Sequence, residues 1–184
     1  MKKLPFIKGI PLSYIQSILK IDPTSPSGLT WLPRNNNSWN KKFANKNCGC
    51  KHTNKNGYQS WVTSVNYKGK THQLKCSRII FLLHNGYLTK GKKIDHIDNN
   101  SLNNHPENIR ESDVSGNTCN SKISKNNTSG TKGLLWNKKK EEWEIRIWLN
   151  GKNYYFGHFK NKQEAIKVAI ESRKKLHGEF GRDR

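Results

Sequence analysis

Between Lys93 and Asn117 the chain reads KIDHIDNNSLNNHPENIRESDVSGN. This stretch sets Asp95 beside His96, Asn108 twelve residues after the histidine and Asn117 nine further on. A carboxylate and an amide oxygen are hard ligands suited to Mg²⁺ or Mn²⁺. An adjacent imidazole can take a proton from water. A calcium loop is excluded, because that pattern wants Asp or Asn at positions one, three and five and Gly at six. Counted from Asp95, position three is Ile97; counted from Asp98, position five is Leu102.

Such side chains act together only if local structure converges them. Ile94-Asp95-His96-Ile97 alternates apolar and polar, which predicts a short strand with Asp95 and Ile97 on one side and His96 on the other. Asn-Asn, Asn-Asn and His-Pro mark a loop. Asn108-Ile109-Arg110 reads as a return strand, and Ser112 as the cap of a helix that carries Asn117 in its second turn.

This strand, loop, strand, helix layout resembles the metal-binding ββα core of HNH endonucleases, in the branch found in phage and intron-encoded homing enzymes. The matching residues are Asp95-His96-Ile97-Asp98, Asn99-Asn100, Asn103-Asn104, Glu107-Asn108-Ile109-Arg110 and Asn117. The resemblance implies that Asp95 and Asn117 hold the metal, that His96 is the general base, and that Asn108 orients its imidazole. Two departures stand out. Asn100 follows Asn99 where the branch often has Gly-Asn, and the last member is Asn117 instead of His.

The bulk of the chain favours a polyanionic partner. Lys and Arg total 34 against 13 acidic residues in 184, a net charge of +21 and a pI near 10. Phosphate backbone is the natural counter-surface, here double-stranded DNA. No run approaches the ~20 apolar residues needed to span a bilayer. The chain reads as an intracellular, cytoplasmic protein without disulfides, a monomer or at most a dimer.

Residues 1–90 read as a scaffold. Pro11 opens a helix with an apolar stripe of Leu12, Ile15, Ile18 and Leu19. Asp22 to Gly28 is turn material, Leu29–Leu32 a strand, and Asn35 to Asn47 a loop whose basic residues, with Arg34 just before them, are candidates for phosphate contact. Trp61–Tyr67 and Thr71–Lys75 form a hairpin around Lys68-Gly69. Ser77 is read as the cap of a helix that Gly86 closes. The Asp-Pro turn also resembles the segment preceding the HNH core, although Ser77-Arg78 stands where that family has His-Arg. Cys48, Cys50, His52 and Cys76 offer the ligand types of a structural zinc site, but Cys-x-Cys spacing argues against one. Cys119 reads as a small core residue.

Ser121 to Thr131 is polar and rich in turn formers, which places a domain joint there. Beyond it, Leu134–Trp136, Trp143–Leu149 and Lys152–Phe159 read as three strands, with Asn150-Gly151 as a tight hairpin. Lys162–Leu176 has helical periodicity and ends at Gly178. In the middle strand Trp143, Ile145, Ile147 and Leu149 share one face, and Glu144, Arg146 and Trp148 the other. The unit resembles Apetala-two DNA-binding domains, on the strength of Ser129–Gly133, Trp136, Trp143–Ile147, Phe156–Phe159, Glu164-Ala165 and Leu176–Phe180. That resemblance implies a sheet face entering DNA through Glu144, Arg146, Trp148, Asn153 and Tyr155.

The reading is therefore an α+β chain. It comprises an HNH domain over 1–127 (scaffold 1–90, ββα-metal core 91–125) and a three-stranded antiparallel sheet on one helix over 128–184. The expected activity is Mg²⁺- or Mn²⁺-dependent, site-directed DNA hydrolysis. The alternative is a non-catalytic DNA-binding regulator that uses the C-terminal half. Nucleic-acid deamination is excluded, since the Cys-x-x-Cys that must accompany a His-x-Glu is missing.

Overall fold

A computed structural model describes residues 2–113, 123–124 and 126–178. The chain divides into two compact units, Met1–Glu111 and Ser112–Arg184. Both mix helices with small sheets, so the chain is α+β. Among the described residues no helix is long and apolar enough to cross a membrane.

The first unit is built on α3 (Cys76–Asn85), whose Cys76, Ile79, Ile80 and Leu82 are fully buried. Ahead of it come β1 (Lys3–Leu4), β2 (Phe6–Ile7), β3 (Ile10–Pro11), α1 (Leu12–Ile18), β4 (Leu19–Ile21), β5 (Leu29–Trp31), α2 (Asn37–Phe43), β6 (Cys50–Thr53), β7 (Gln59–Tyr67) and β8 (Lys70–Lys75). Ile10, Ile15, Leu19, Leu29, Val65 and Leu74 pack around α3. Burying such a side chain contributes about 1.5–3 kcal/mol, so the scaffold stands on a real core despite its polar composition. Gly86 closes α3 in the left-handed conformation at φ 78°, its N–H donating to the Leu82 carbonyl. A residue without a Cβ suits that position.

Local readings gave way to tertiary context at four places. The helix after Pro11 stops at Ile18, and Leu19 opens β4, still buried. Ser77 does not cap α3: it lies inside the helix and is buried, with Lys75 at the cap position. The hairpin is the core of a three-stranded sheet, because β6 adds to β7 through Cys50↔Val62 and Thr53↔Gln59. The stretch read as a loop contains α2, for which Asn36 accepts the Trp39 N–H at 2.8 Å. Trp39 and Phe43, one turn apart, meet at 5.4 Å. Those i, i+4 aromatics and the cap outweigh a run of weak helix formers.

After α3 follow β9 (Leu88–Thr89), β10 (Lys93–His96), a 3₁₀ turn (Pro106–Asn108) and β11 (Ile109–Ser112), with β10 and β11 paired. Asn108 thus ends the turn before the return strand instead of opening it. Ser112, read as a helix cap, is the last residue of β11 and buried. The helix expected after it, with Asn117 and Cys119, falls outside the described residues.

In the second unit, β12 (Leu134–Asn137), β13 (Glu142–Leu149) and β14 (Lys152–Phe159) form an antiparallel sheet, and α4 (Lys162–His177) packs on it. Asn150 and Gly151 both have positive φ, 51° and 76°, as a tight two-residue hairpin turn requires. Asn161 caps α4 by accepting the Gln163 and Glu164 N–H groups. Leu134, Ile145, Ile147, Ala165 and Ala169 form the core. Opposite Ile145 the register slips between Glu144↔His158 and Arg146↔Tyr155. The extra residue on β14 is accommodated at Gly157, φ 113°. This bulge leaves Asn153 and Tyr155 opposite Trp148 and Arg146 on the face away from α4.

Candidate active site

Asp95 and His96, the last two residues of β10, are both buried, at 4% and 8% exposure. Both faces of the strand are thus covered at this point, whereas Ile97 is open to solvent. The backbone explains this. Ile97 has left the strand, and its N–H is taken by the Asn108 carbonyl at 2.8 Å as the loop begins.

The imidazole is held from one side by a chain of hydrogen bonds. His96 Nε2 lies 3.0 Å from Asn104 Oδ1, and Asn104 Nδ2 donates to the Ser27 carbonyl at 2.9 Å. A carbonyl only accepts, so the amide nitrogen must face Ser27 and the amide oxygen must face the ring. Nε2 then carries the hydrogen, and in the neutral ring the basic lone pair sits on Nδ1. Asn104 is itself buried. Ser27 is fixed in turn by the Asp22–Gly28 turn, in which Asp22 accepts from Thr24 and Asn47 Oδ1 accepts the Ser27 N–H at 3.1 Å. Gly28 has φ +80°, and a Cβ there would stand 2.8 Å from Ile80 Cδ1 and 3.3 Å from Asn104 Cβ. Only glycine lets this turn press so closely against the asparagine.

Asn108 was expected to orient the imidazole. Its side chain instead ties the loop to itself: Nδ2 donates to Asp98 Oδ1 at 3.0 Å and to the Asn103 carbonyl at 2.8 Å, while Oδ1 accepts the Asp98 N–H at 3.1 Å. Asp98 also accepts from the Asn100 N–H and from Asn103 Nδ2. Burial pushes the Asp98 carboxyl up, but the donors from Asn103, Asn100 and Asn108 outweigh it and hold it below the ordinary carboxylate range. Asp98 and Asn108 thus clamp the loop whose far side presents Asn104 to the ring.

Asp95 is met by Arg110 of β11, Nε to Oδ2 at 3.2 Å. Its buried carboxylate beside the histidine fits a divalent-cation ligand by donor type. The second expected ligand, Asn117, lies outside the described residues. Asn104, Asp98 and Arg110 are among the residues that carry the family resemblance, but the sequence reading gives none of them a role in the site.

The cysteines are disposed otherwise than in a zinc site. Cys48 is buried and its Sγ lies 3.1 Å from Thr63 Oγ1, while Cys50 Sγ meets the Val62 carbonyl. Desolvation pushes the Cys48 thiol up to about 12 and the Cys76 thiol strongly upward. His52 is exposed on β6. Among the described residues no group of three His, Cys, Asp or Glu side chains is placed to hold a metal.

In the second unit, Trp148 (63% exposed) and Tyr155 (55%) stand open on the sheet face away from α4, with Arg146 and Asn153 also exposed. Glu144, expected on that open face, is 5% exposed. It accepts from Arg146 Nε and from Asn137 Nδ2. Burial raises the Glu144 carboxyl, and the Arg146 and Asn137 hydrogen bonds more than reverse the effect, leaving it below the ordinary range. Glu144 is thus a support for the arginine, spent within the sheet.

The HNH endonuclease family matches residues 75–118, a span that includes α3, β10, the clamped loop and β11. Protein 3.8 of Escherichia phage T7 is 40% identical over 100 residues, covering 54% of this chain and 82% of that protein. No solved structure matches.

Proposed function

Because residues 75–118 match the HNH endonuclease family and the chain is homologous to phage T7 protein 3.8, we propose that it is a divalent-metal-dependent, homing-type DNA endonuclease with His96 as its general base. The observation that carries this reading is the Ser27–Asn104–His96 chain beside Asp95, which holds the ring and leaves its basic nitrogen at Nδ1. In hydrolysis, Nδ1 would take the proton of the attacking water as its oxygen bonds to phosphorus. The bond to the 3′ oxygen would break and that oxygen would take a proton from a solvent water, leaving a 5′ phosphate and a 3′ hydroxyl. Asp95, with Asn117, would hold the ion, which when bound neutralises charge on the phosphate and the departing oxygen. Asn108 and Asp98 keep the loop closed around this geometry.

The second unit would choose or anchor the target as an Apetala-two-like domain. Its exposed Arg146, Trp148, Asn153 and Tyr155 support this role, with Glu144 bracing Arg146. The test is supercoiled plasmid incubated with the protein in Mg²⁺ or in chelator, for wild type and His96→Ala. Metal-dependent nicked or linear product is expected from wild type, and a loss of at least ~10²-fold in the variant with DNA affinity retained. Absence of any wild-type product would favour the non-catalytic regulator, and full activity of His96→Ala would remove the histidine from the mechanism.

A further inference from the structure

The excursion between β5 and β6 carries a cation prepared in a way that no partner among the described residues explains. Arg34 is exposed, yet one side chain fixes both of its backbone polar groups. Its N–H donates to Asn40 Oδ1 at 2.7 Å, and Asn40 Nδ2 donates back to its carbonyl at 2.6 Å. Its guanidinium lies over two indoles, 4.1 Å from the Trp39 centroid and 5.2 Å from that of Trp31. Among the described residues no carboxylate pairs with it. The sequence supplies none nearby, because between Asp22 and Asp95 there is not one Asp or Glu, against 13 Lys and Arg.

We propose that Arg34 is a preorganised anchor for a phosphate of the DNA backbone on the nuclease unit. Its planar fork suits phosphate oxygens. Ordering a long side chain ordinarily weakens binding, and here Asn40, Trp39 and Trp31 have already imposed that order. The aromatics do not themselves make a base-stacking platform. Arg34 covers Trp39, whose ring also packs against Trp31 at 5.8 Å and Phe43 at 5.4 Å, so the guanidinium is the group this cluster presents. The excursion is also tied to the active site. Trp31 N–H donates to the Lys46 carbonyl and Asn45 N–H to that of Trp31, suturing its base to β5. The same segment begins at Ser27, the partner of Asn104. Arg34 lies seven positions after Ser27 in the chain, at most about 25 Å of extended backbone.

The anchor rests on the DNA-cutting reading, and the test separates the two. Affinity of the full-length protein for two unrelated duplexes is measured over a range of salt for wild type, Arg34→Gln and Asn40→Ala. Loss of one phosphate contact should reduce the slope of log K against log salt by about 0.9 in Arg34→Gln, equally on both duplexes. Asn40→Ala keeps the charge but frees it, so its slope should match wild type while affinity falls several-fold. An unchanged slope in Arg34→Gln overturns the anchor and leaves the nuclease reading intact. A loss confined to one duplex overturns the phosphate assignment in favour of base contact. Wild-type protein without affinity for either duplex sinks both.

Discussion

Replacing Asn104 with leucine is the sharpest probe of the imidazole's support. The two side chains are similar in size, but leucine offers nothing to His96 Nε2 or to the Ser27 carbonyl, which now lie 3.0 and 2.9 Å from the amide. Stranding two buried polar groups costs about 1–3 kcal/mol each. The added apolar burial returns up to about 1.5–3 kcal/mol. With low ends and high ends paired, the net expectation is a destabilisation of about 0.5–3 kcal/mol, read as a shift in urea midpoint. Displacing a reacting group by about an ångström can lower a rate ~10²-fold. Asn104→Leu should therefore cut roughly 10- to 100-fold more slowly, in single-turnover plasmid assays at a temperature where circular dichroism shows it folded. Asn104→Asp separates the two roles. It keeps an oxygen toward Nε2 but turns another against the Ser27 carbonyl, so it should be as unstable as the leucine variant yet cut faster. A folded Asn104→Leu protein that cuts at the wild-type rate would refute the support assigned to this residue.

Two further outcomes concern the second unit. The Glu144 carboxyl is held below its ordinary value, so its contribution to stability is complete above the ordinary carboxylate range and lost as pH falls through the depressed value; urea unfolding across acidic pH should show this, and Glu144→Gln should flatten that part of the profile. Arg146→Ala should weaken binding at the preferred site by roughly 1–3 kcal/mol while leaving scrambled duplex nearly unaffected, if the side chain reads a base edge; equal losses on both would make it a phosphate contact.

What was legible in the sequence was what neighbouring residues decide among themselves. Asn150-Gly151 turns the chain because those residues tolerate positive φ, and Gly86 ends α3 for the same reason. The alternation along β13 placed Ile145 and Ile147 inward and Arg146 and Trp148 outward, as they stand. The partner of the histidine was a different matter. Ser27 and Asn104 lie 77 residues apart, and their meeting depends on Gly28 packing against Ile80. The family resemblance implied Asn108, whose side chain is spent on Asp98 and Asn103. Glu144 misled in another way. Its position on the strand was right, and a hydrogen bond from Asn137 on the adjacent strand drew it into a buried pair. α2 was missed because propensity disfavours Asn-rich segments, whereas Asn36 and the Trp39–Phe43 contact act through geometry.

The Arg110–Asp95 pair separates two events that are fused in many small metalloproteins. Where a domain's ligands repel one another until the ion arrives, loading and folding are a single transition, and chelators unfold the protein. Here the buried carboxylate already has a cation against it from the adjoining strand. If the proposed divalent ion binds here, it would find that carboxylate already compensated, and the unit would be expected to keep its shape before the ion is captured. A chelator would then act on such a protein as a brake that can be released, silencing it without erasing its shape.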